Sequence, residues 1–223
     1  MLQKTEVTFT PTIEGLELAW PIVPAKSLSA MDPKKYGLLQ CPGVYDAATA
    51  GYLLRAWTDI KISSSETGVT VQLEDELLEV TNSVNKVADF DPTSSPFLYG
   101  EATPNIKKIN LPWLVTTPKN YSCLMVQPMY HFHAESPFIR VYAGVLDTDE
   151  MHKIALVFSM LQPGDFVIQR GTPLLQIIPF QRESYVSKLT HISIAVWNAQ
   201  RLKMSKAIKH YYWKALHRRK SYE

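Results

Sequence analysis

Residues Ala143–Phe180 read AGVLDTDEMHKIALVFSMLQPGDFVIQRGTPLLQIIPF, and their reading decides the fold. Three strand candidates lie in this stretch: Lys153–Phe158, Asp165–Gln169 and Leu174–Pro179. Each is short and rich in apolar, β-branched or aromatic residues, and Pro163-Gly164 and Gly171 supply the turns between them. Ahead of them, Gly144-Val145-Leu146-Asp147-Thr148-Asp149 ends an apolar run on two carboxylates.

The same rhythm extends upstream. Trp113–Thr116, Ser122–Gln127 and Phe138–Val145 are further strand candidates, spaced by about ten residues, as in an all-β barrel or a jelly-roll-like body. Trp57–Ile62 and Val69–Leu73 read as a hairpin closed by a turn over Ser63–Gly68. Nearer the N-terminus, Glu6–Thr10 and Gly15–Ala19 are strand candidates, with Pro11, Pro21 and Pro24 keeping them short. Residues 25–45 read as loop, with a turn at Cys41-Pro42-Gly43. Asp46–Arg55 is ambiguous: Asp46 can N-cap a short helix with Ala47, Ala50, Leu53 and Leu54 on one face, and part of the stretch has a second reading. Residues 82–105, rich in Asn, Asp, Pro, Ser and Thr, predict a long surface loop.

Downstream the character changes. His191–Val196 reads as one last strand. Asn198–Arg219 lacks Pro and Gly and spaces Leu202, Ile208, Tyr211, Tyr212 and Leu216 as an amphipathic basic helix. The expected organisation is a β-rich unit over residues 1–190 and a strand/helix appendage over residues 191–223.

Composition bounds the function. The 223-residue chain is 46% hydrophobic and 20% charged, enough to build a packed core. Its net charge of +2 hides an asymmetry: Arg201–Lys220 holds eight Lys or Arg and no acid. Two cysteines, Cys41 and Cys123, make no disulfide framework and no C-x-x-C pair. Without an apolar run of membrane-spanning length or an apolar leader, the expectation is a soluble cytoplasmic protein, in the host cytoplasm if it is viral.

Three segments resemble the trimeric dUTPase and dCTP deaminase superfamily, a β-clip fold. Gly144–Asp149 is similar to that family's G-[VL]-I-D-x-D turn. Phe166-Val167-Ile168-Gln169-Arg170-Gly171, followed by Leu174-Leu175-Gln176-Ile177-Ile178, is similar to its F-x-[VI]-x-x-G-[DE]-R-I-A-Q-[LM]-I strand. Ala50–Ala56 resembles its A-G-[YL]-D-L-R-A opening, with Leu53 where the family has a metal-site Asp. The resemblance implies a mainly β, dUTPase-like β-clip or distorted barrel carrying a C-terminal basic amphipathic helix, assembled as a homo-oligomer, a trimer by analogy. It also implies Asp147 as a catalytic carboxylate that orients and deprotonates water, with Asp149 and Gln176 as substrate-binding residues. The chain departs from the pattern elsewhere. Glu150 stands at the stacking aromatic's position, Thr172-Pro173 replaces the acid and Arg, and Gln127–Phe132 lacks the phosphate-binding Arg and Ser.

Each candidate has a structural alternative. Asp147 and Asp149 can cap a β-turn, and Gln176 can serve the core of its strand. His131-Phe132-His133-Ala134-Glu135 puts two imidazoles and a carboxylate at strand spacing, the donor types of some iron sites, or is a polar strand end. It lacks the further His such sites need, so no metal set is assigned and the cofactor stays unknown. The aromatic and basic tail suits nucleic acid or docking on protein. Two functions therefore stand open. One is a non-catalytic binding or assembly protein, of phage type, open to a nucleotide or nucleic-acid partner and to no membrane. The other is a divergent nucleotide-processing enzyme using Asp147.

Overall fold

Strand β7, Ile106–Thr116, is the backbone of the first sheet. Its Ile109, Leu111, Trp113 and Val115 point into the core, with half-buried Asn110 and Leu114 and buried Pro112 between them. The computed structural model describes residues 5–19, 21–27, 37–66, 68–73, 87–89, 106–131, 138–206, 218 and 221–222. In it β7 pairs on one edge with β11, His152–Met160, which pairs in turn with β9, Ile139–Val141. Its other edge takes β1, Thr8–Pro11, and β6, Val87–Asp89. Pro112 lies inside β7 without breaking it. It sits where β1 has ended, with the Thr12 amide donating to its carbonyl at 3.0 Å, and where the β7–β11 register shifts between Lys153 and Ala155. A residue without an N–H is tolerated at such an interruption.

The second sheet runs in the order β10 (Gly144–Asp147), β8 (Tyr121–Val126), β13 (Pro173–Gln181), β3 (Tyr52–Arg55), β2 (Val23–Pro24). The third joins β12 (Gly164–Ile168), β4 (Ile60–Ser65) and β5 (Gly68–Leu73). Every pairing among the described strands is antiparallel. One core cluster takes side chains from all three sheets, among them Phe158, Ile177 and Ile62. The architecture is mainly β, as expected.

Registers fix the faces of the second sheet. Leu146 stands beside Cys123 and Pro179, and Met125 beside Ile177, on the face toward the core. The opposite face carries two cross-strand rows, Val145–Leu124–Ile178 and Asp147–Ser122–Phe180. Val145 is 61% exposed and Phe180 38%.

Several local expectations change. The stretch Phe138–Val145 is not one strand: β9 ends at Val141, β10 starts at Gly144, and the chain passes from the first sheet to the second between them. Cys41-Pro42-Gly43 is not a turn but the start of helix α2, Pro42–Thr49, with Pro42 in the first turn, where its missing N–H costs no helix bond. The helical reading of Asp46–Arg55 changes at both ends: Asp46 lies inside α2, whose N-cap is Cys41, and the helix stops at Thr49. Gly51 turns the chain at φ 64° into β3, which pairs with β13. A Cβ at Gly51 would lie 1.9 Å from the Ile177 carbonyl oxygen, so only glycine permits this approach. Gly15–Ala19 contains a helical turn, α1, over Leu16–Ala19. Most of residues 82–105 lies outside the described residues.

The strand expected over His191–Val196 does not form. Residues 182–193 have no regular structure, and helix α3 runs over Ile194–Lys206. Its described side chains, Ile194 to Leu202, are exposed, as is every residue from Glu183 to Ser193. The part of the expected helix beyond Lys206 lies outside the described residues, apart from Arg218. No helix among the described residues is long and apolar enough to cross a membrane.

Candidate functional site

The two carboxylates singled out by the sequence stand together at one corner of the second sheet. Asp147 ends β10 directly opposite Ser122 of β8. The Ser122 hydroxyl donates to Asp147 Oδ1 at 2.7 Å. Two residues on, Asp149 accepts from the Asn120 amide at 3.3 Å. Between them Thr148 turns inward and is fully buried, its hydroxyl 2.6 Å from that of Thr117 and its carbonyl accepting from the Thr117 amide at 2.7 Å. The two acids therefore point outward because the residue between them is anchored inside.

Arg182 closes the corner. It is the first residue after β13, and its amide donates to the Asn120 carbonyl at 2.8 Å. Its Nη2 bonds Asp149 Oδ2, while Nη1 lies 3.2 Å from Asp149 Oδ1 and 3.2 Å from Asp147 Oδ1. Nη1 also donates to the Ser122 hydroxyl oxygen at 3.3 Å. The contact with Asp149 is the two-pronged fork that suits guanidinium and carboxylate. The Asp147 side chain is 71% exposed and the Asp149 side chain 24%.

These bonds set the acid strength. Donation from Ser122, then from Arg182, holds the Asp147 carboxyl below the ordinary carboxylate range. Donation from Arg182, then from the Asn120 amide, does the same for Asp149. A carboxylate so stabilised is a weaker base than a free one, whereas general-base work at neutral pH calls for a carboxyl raised toward 7.

Gln176 stands elsewhere, on the same outer face of the sheet but under α2. It is fully buried. Its Nε2 donates to the carbonyls of Ala47 at 2.9 Å and Ala50 at 2.7 Å, and its Oε1 accepts from the Met129 amide at 2.9 Å. His131, also buried, reaches the Ala48 carbonyl with Nε2 at 3.2 Å, which places the ring proton on that nitrogen. Together the two side chains satisfy the carbonyls at the C-terminal end of α2. The structure thus separates Gln176 from Asp147 and Asp149. His133 and Glu135 lie outside the described residues, and no group of three metal-ligating side chains occurs among the described ones.

Known proteins offer distant likenesses. No family model matches the chain, and no curated protein matches it. Among solved structures it is similar to the native EIAV dUTPase: 13% identity, 64% of this chain and 83% of that one covered, TM-score 0.36. It is also similar to a mutant dUTPase of phage phi11 of S. aureus: 10% identity, 84% and 97% covered, TM-score 0.41. A mutant Staphylococcus bacteriophage 80alpha dUTPase solved with dUpNHpp matches at 9% identity, over 65% of this chain and 78% of that one, with a TM-score of 0.34. With every one of these TM-scores below 0.5, the β architecture of this chain rests on its own sheet registers.

Arg182 carried no sequence signal as a partner of Asp147. Thirty-odd residues separate them, and no spacing rule links the end of one strand to the end of another. Only the pairing of β8 with both β10 and β13 brings them to one corner.

Proposed function

We propose that this chain is a non-catalytic binding or assembly protein built on a β scaffold. The observation that carries the reading is the pairing of both candidate carboxylates with Arg182 and of Asp147 with Ser122. Asp147 serves as a structural acceptor at the sheet corner, and Asp149 anchors the arginine. Gln176 acts as a clamp on α2, its amide already committed to three backbone groups. An enzyme that attacks phosphorus needs positive groups free to meet developing negative charge. At this corner the arginine is already neutralised by two acids.

The test is direct. Purified protein is incubated with dUTP and with dCTP, with and without magnesium, and products are followed by chromatography. No turnover is expected. Turnover that disappears in Asp147→Asn would overturn the reading in favour of a divergent nucleotide-processing enzyme. A nucleotide that raises the melting temperature without being turned over would identify a bound ligand and support it.

A further inference from the structure

The described strands of the first sheet, β1, β6, β7, β9 and β11, hold Lys107, Lys108, Arg140 and Lys153 against a single acid, Asp89. Asp89 stands across from Lys107, which in turn stands beside Phe158, on the side that faces the core. The period of two puts the other three cations on the opposite side, since Ile109, Ile139, Val141, Ile154 and Leu156 all point inward. That outer face therefore carries three cations and no acid among the described strand residues. Arg140 and Lys153 are exposed and Lys108 is half-buried. None of the three makes an ion pair among the described residues. Outside Arg201–Lys220, which holds eight of the 23 Lys and Arg, the chain has fifteen basic and 21 acidic residues. An acid-free cationic face thus stands on a body that is otherwise net negative.

The registers set these cations in a line along β11. Arg140 stands beside Ser159, and Lys108 beside Val157. Lys153 belongs to β11 itself, at about 20 Å from Ser159 along the strand. Asn110, beside Ala155, lies between Lys108 and Lys153. Tyr142 adds an aromatic ring. Its amide donates to the Val157 carbonyl at 2.9 Å, and its hydroxyl donates to that of Ser159 at 3.1 Å. Tied at backbone and hydroxyl alike, the half-buried ring lies along the outer side of β11, near Arg140.

A line of cations with an amide and a ring suits one kind of ligand. Lys and Arg take phosphates, and an aromatic ring stacks on an unpaired base. A duplex keeps its bases paired, and a sheet face offers neither a helix nor a ribbon to enter its major groove. A bilayer or an apolar protein surface calls for exposed apolar side chains. None of the large apolar residues exposed among the described ones lies in these five strands.

We infer that the outer face of the first sheet binds single-stranded nucleic acid, with Lys108, Arg140 and Lys153 on phosphates and Tyr142 under a base. The inference rests on the binding reading proposed for this chain and deepens it by naming the ligand class.

The experiment follows the fluorescence anisotropy of a labelled oligothymidylate titrated with the full chain over a range of salt concentrations. The unaltered chain should bind, and more weakly as salt rises. Replacing Lys108, Arg140 and Lys153 together by Gln removes three phosphate contacts. It should weaken binding at least about tenfold at low salt and make the slope of log affinity against log salt shallower by roughly two. Arg140→Gln with Lys153→Gln, both at exposed positions, repeats the test with less demand on the fold, and circular dichroism checks every variant. Lys26, Lys188 and Arg201, exposed elsewhere, replaced together by Gln remove the same charge and should leave binding as it was. Tyr142→Ala should cost about fivefold or more, and Tyr142→Phe, which keeps the ring, should not. The inference is overturned by an unaltered chain that does not bind, by sheet variants that bind undiminished, or by equal losses in the two triple variants, which would reduce the effect to bulk charge. Tighter binding to duplex DNA or to phosphatidylserine vesicles than to the oligothymidylate overturns it as well. So does light scattering in which the sheet variants change the mass of the protein but keep its affinity, the mark of a contact between copies. Nucleotide turnover by a chain that binds the oligothymidylate would instead defeat the non-catalytic reading and leave this face as assigned.

Discussion

Arg182 binds Asp149 through both terminal nitrogens at the point where β13 gives way to the exposed arm. Its backbone is tied at the same place, through its amide to the Asn120 carbonyl. Asn120 itself is left-handed, with φ 68°, and its amide also serves Asp149. The ion pair and the turn are thus one unit, which fixes where the sheet ends and in which direction the arm departs.

This unit should show in acid. Asp147 and Asp149 are both more acidic in the folded chain than in the unfolded one. Their contribution is therefore fully present above the unfolded carboxyl range, near 3.9, and is lost as pH falls through the lower folded values. Melting temperature should be insensitive to these groups from pH 7 to 5 and fall below about pH 4. Arg182→Ala should lower the melting temperature at pH 7 and shrink the acid-dependent drop. Asp147→Asn should do less than Asp149→Asn, because Asp147 is the more exposed of the two and holds one prong of the arginine against two. A pH profile for Arg182→Ala that superimposes on that of the unaltered chain would count against the assignment.

Gln176 makes a larger prediction. Gln176→Leu leaves the carbonyls of Ala47 and Ala50 and the amide of Met129 buried without this partner. A buried polar group left unsatisfied costs about 1–3 kcal/mol. Urea unfolding should show a loss of at least about 2 kcal/mol. Gln176→Glu should be worse than Gln176→Leu, since an ionised carboxylate would face two carbonyl oxygens. A loss within about 0.5 kcal/mol of zero, the range of surface substitutions, would mean that α2 is not held by this amide.

Two glycines separate backbone necessity from mere tolerance. Gly51→Ala meets the Ile177 carbonyl and a left-handed φ together. The φ alone costs about 1–2 kcal/mol, and the collision adds to it, so the variant should be strongly destabilised or insoluble. Gly43 lies in α2 with open space where a Cβ would stand. Gly43→Ala should be neutral or stabilising by up to about 1 kcal/mol. Equal melting temperatures for the two variants would contradict the geometry at Gly51.

The cysteines differ in the same measurable way. Cys41 is exposed, whereas Cys123 is fully buried in the core, where burial pushes its thiol up despite a bond to Thr148. A thiol reagent at neutral pH should label one cysteine per folded chain and two in denaturant. Peptide mapping that finds Cys123 labelled as fast as Cys41 in the folded protein would show that the core is open there.

Periodicity and turn chemistry were enough to make the chain mainly β. Val, Ile and Phe clusters cut by Pro163-Gly164 and Gly171 admit little else, and the hairpin of β4 and β5 was legible in Trp57–Ile62 and Val69–Leu73, although the loop read over Ser63–Gly68 is shorter because pairing continues to Ser65 and Gly68. The side on which a residue falls within a strand was legible as well, since the period of two fixes it locally. What the sequence could not settle were relations between strands. Phe138–Val145 looks continuous because nothing local marks a change of sheet. The start of α2 was hidden because Cys41-Pro42-Gly43 is equally good turn chemistry, and Pro42 reads as a helix start only once a helix follows it. Asp147, Asp149 and Gln176 were found by pattern, but their partners were not. Arg182 joins the two acids, and α2 joins Gln176, through pairings that span from tens of residues to more than a hundred in the chain. A carboxylate's strength as a base depends on the donors that surround it. Those donors are assembled by sheet register, a property of the tertiary structure alone.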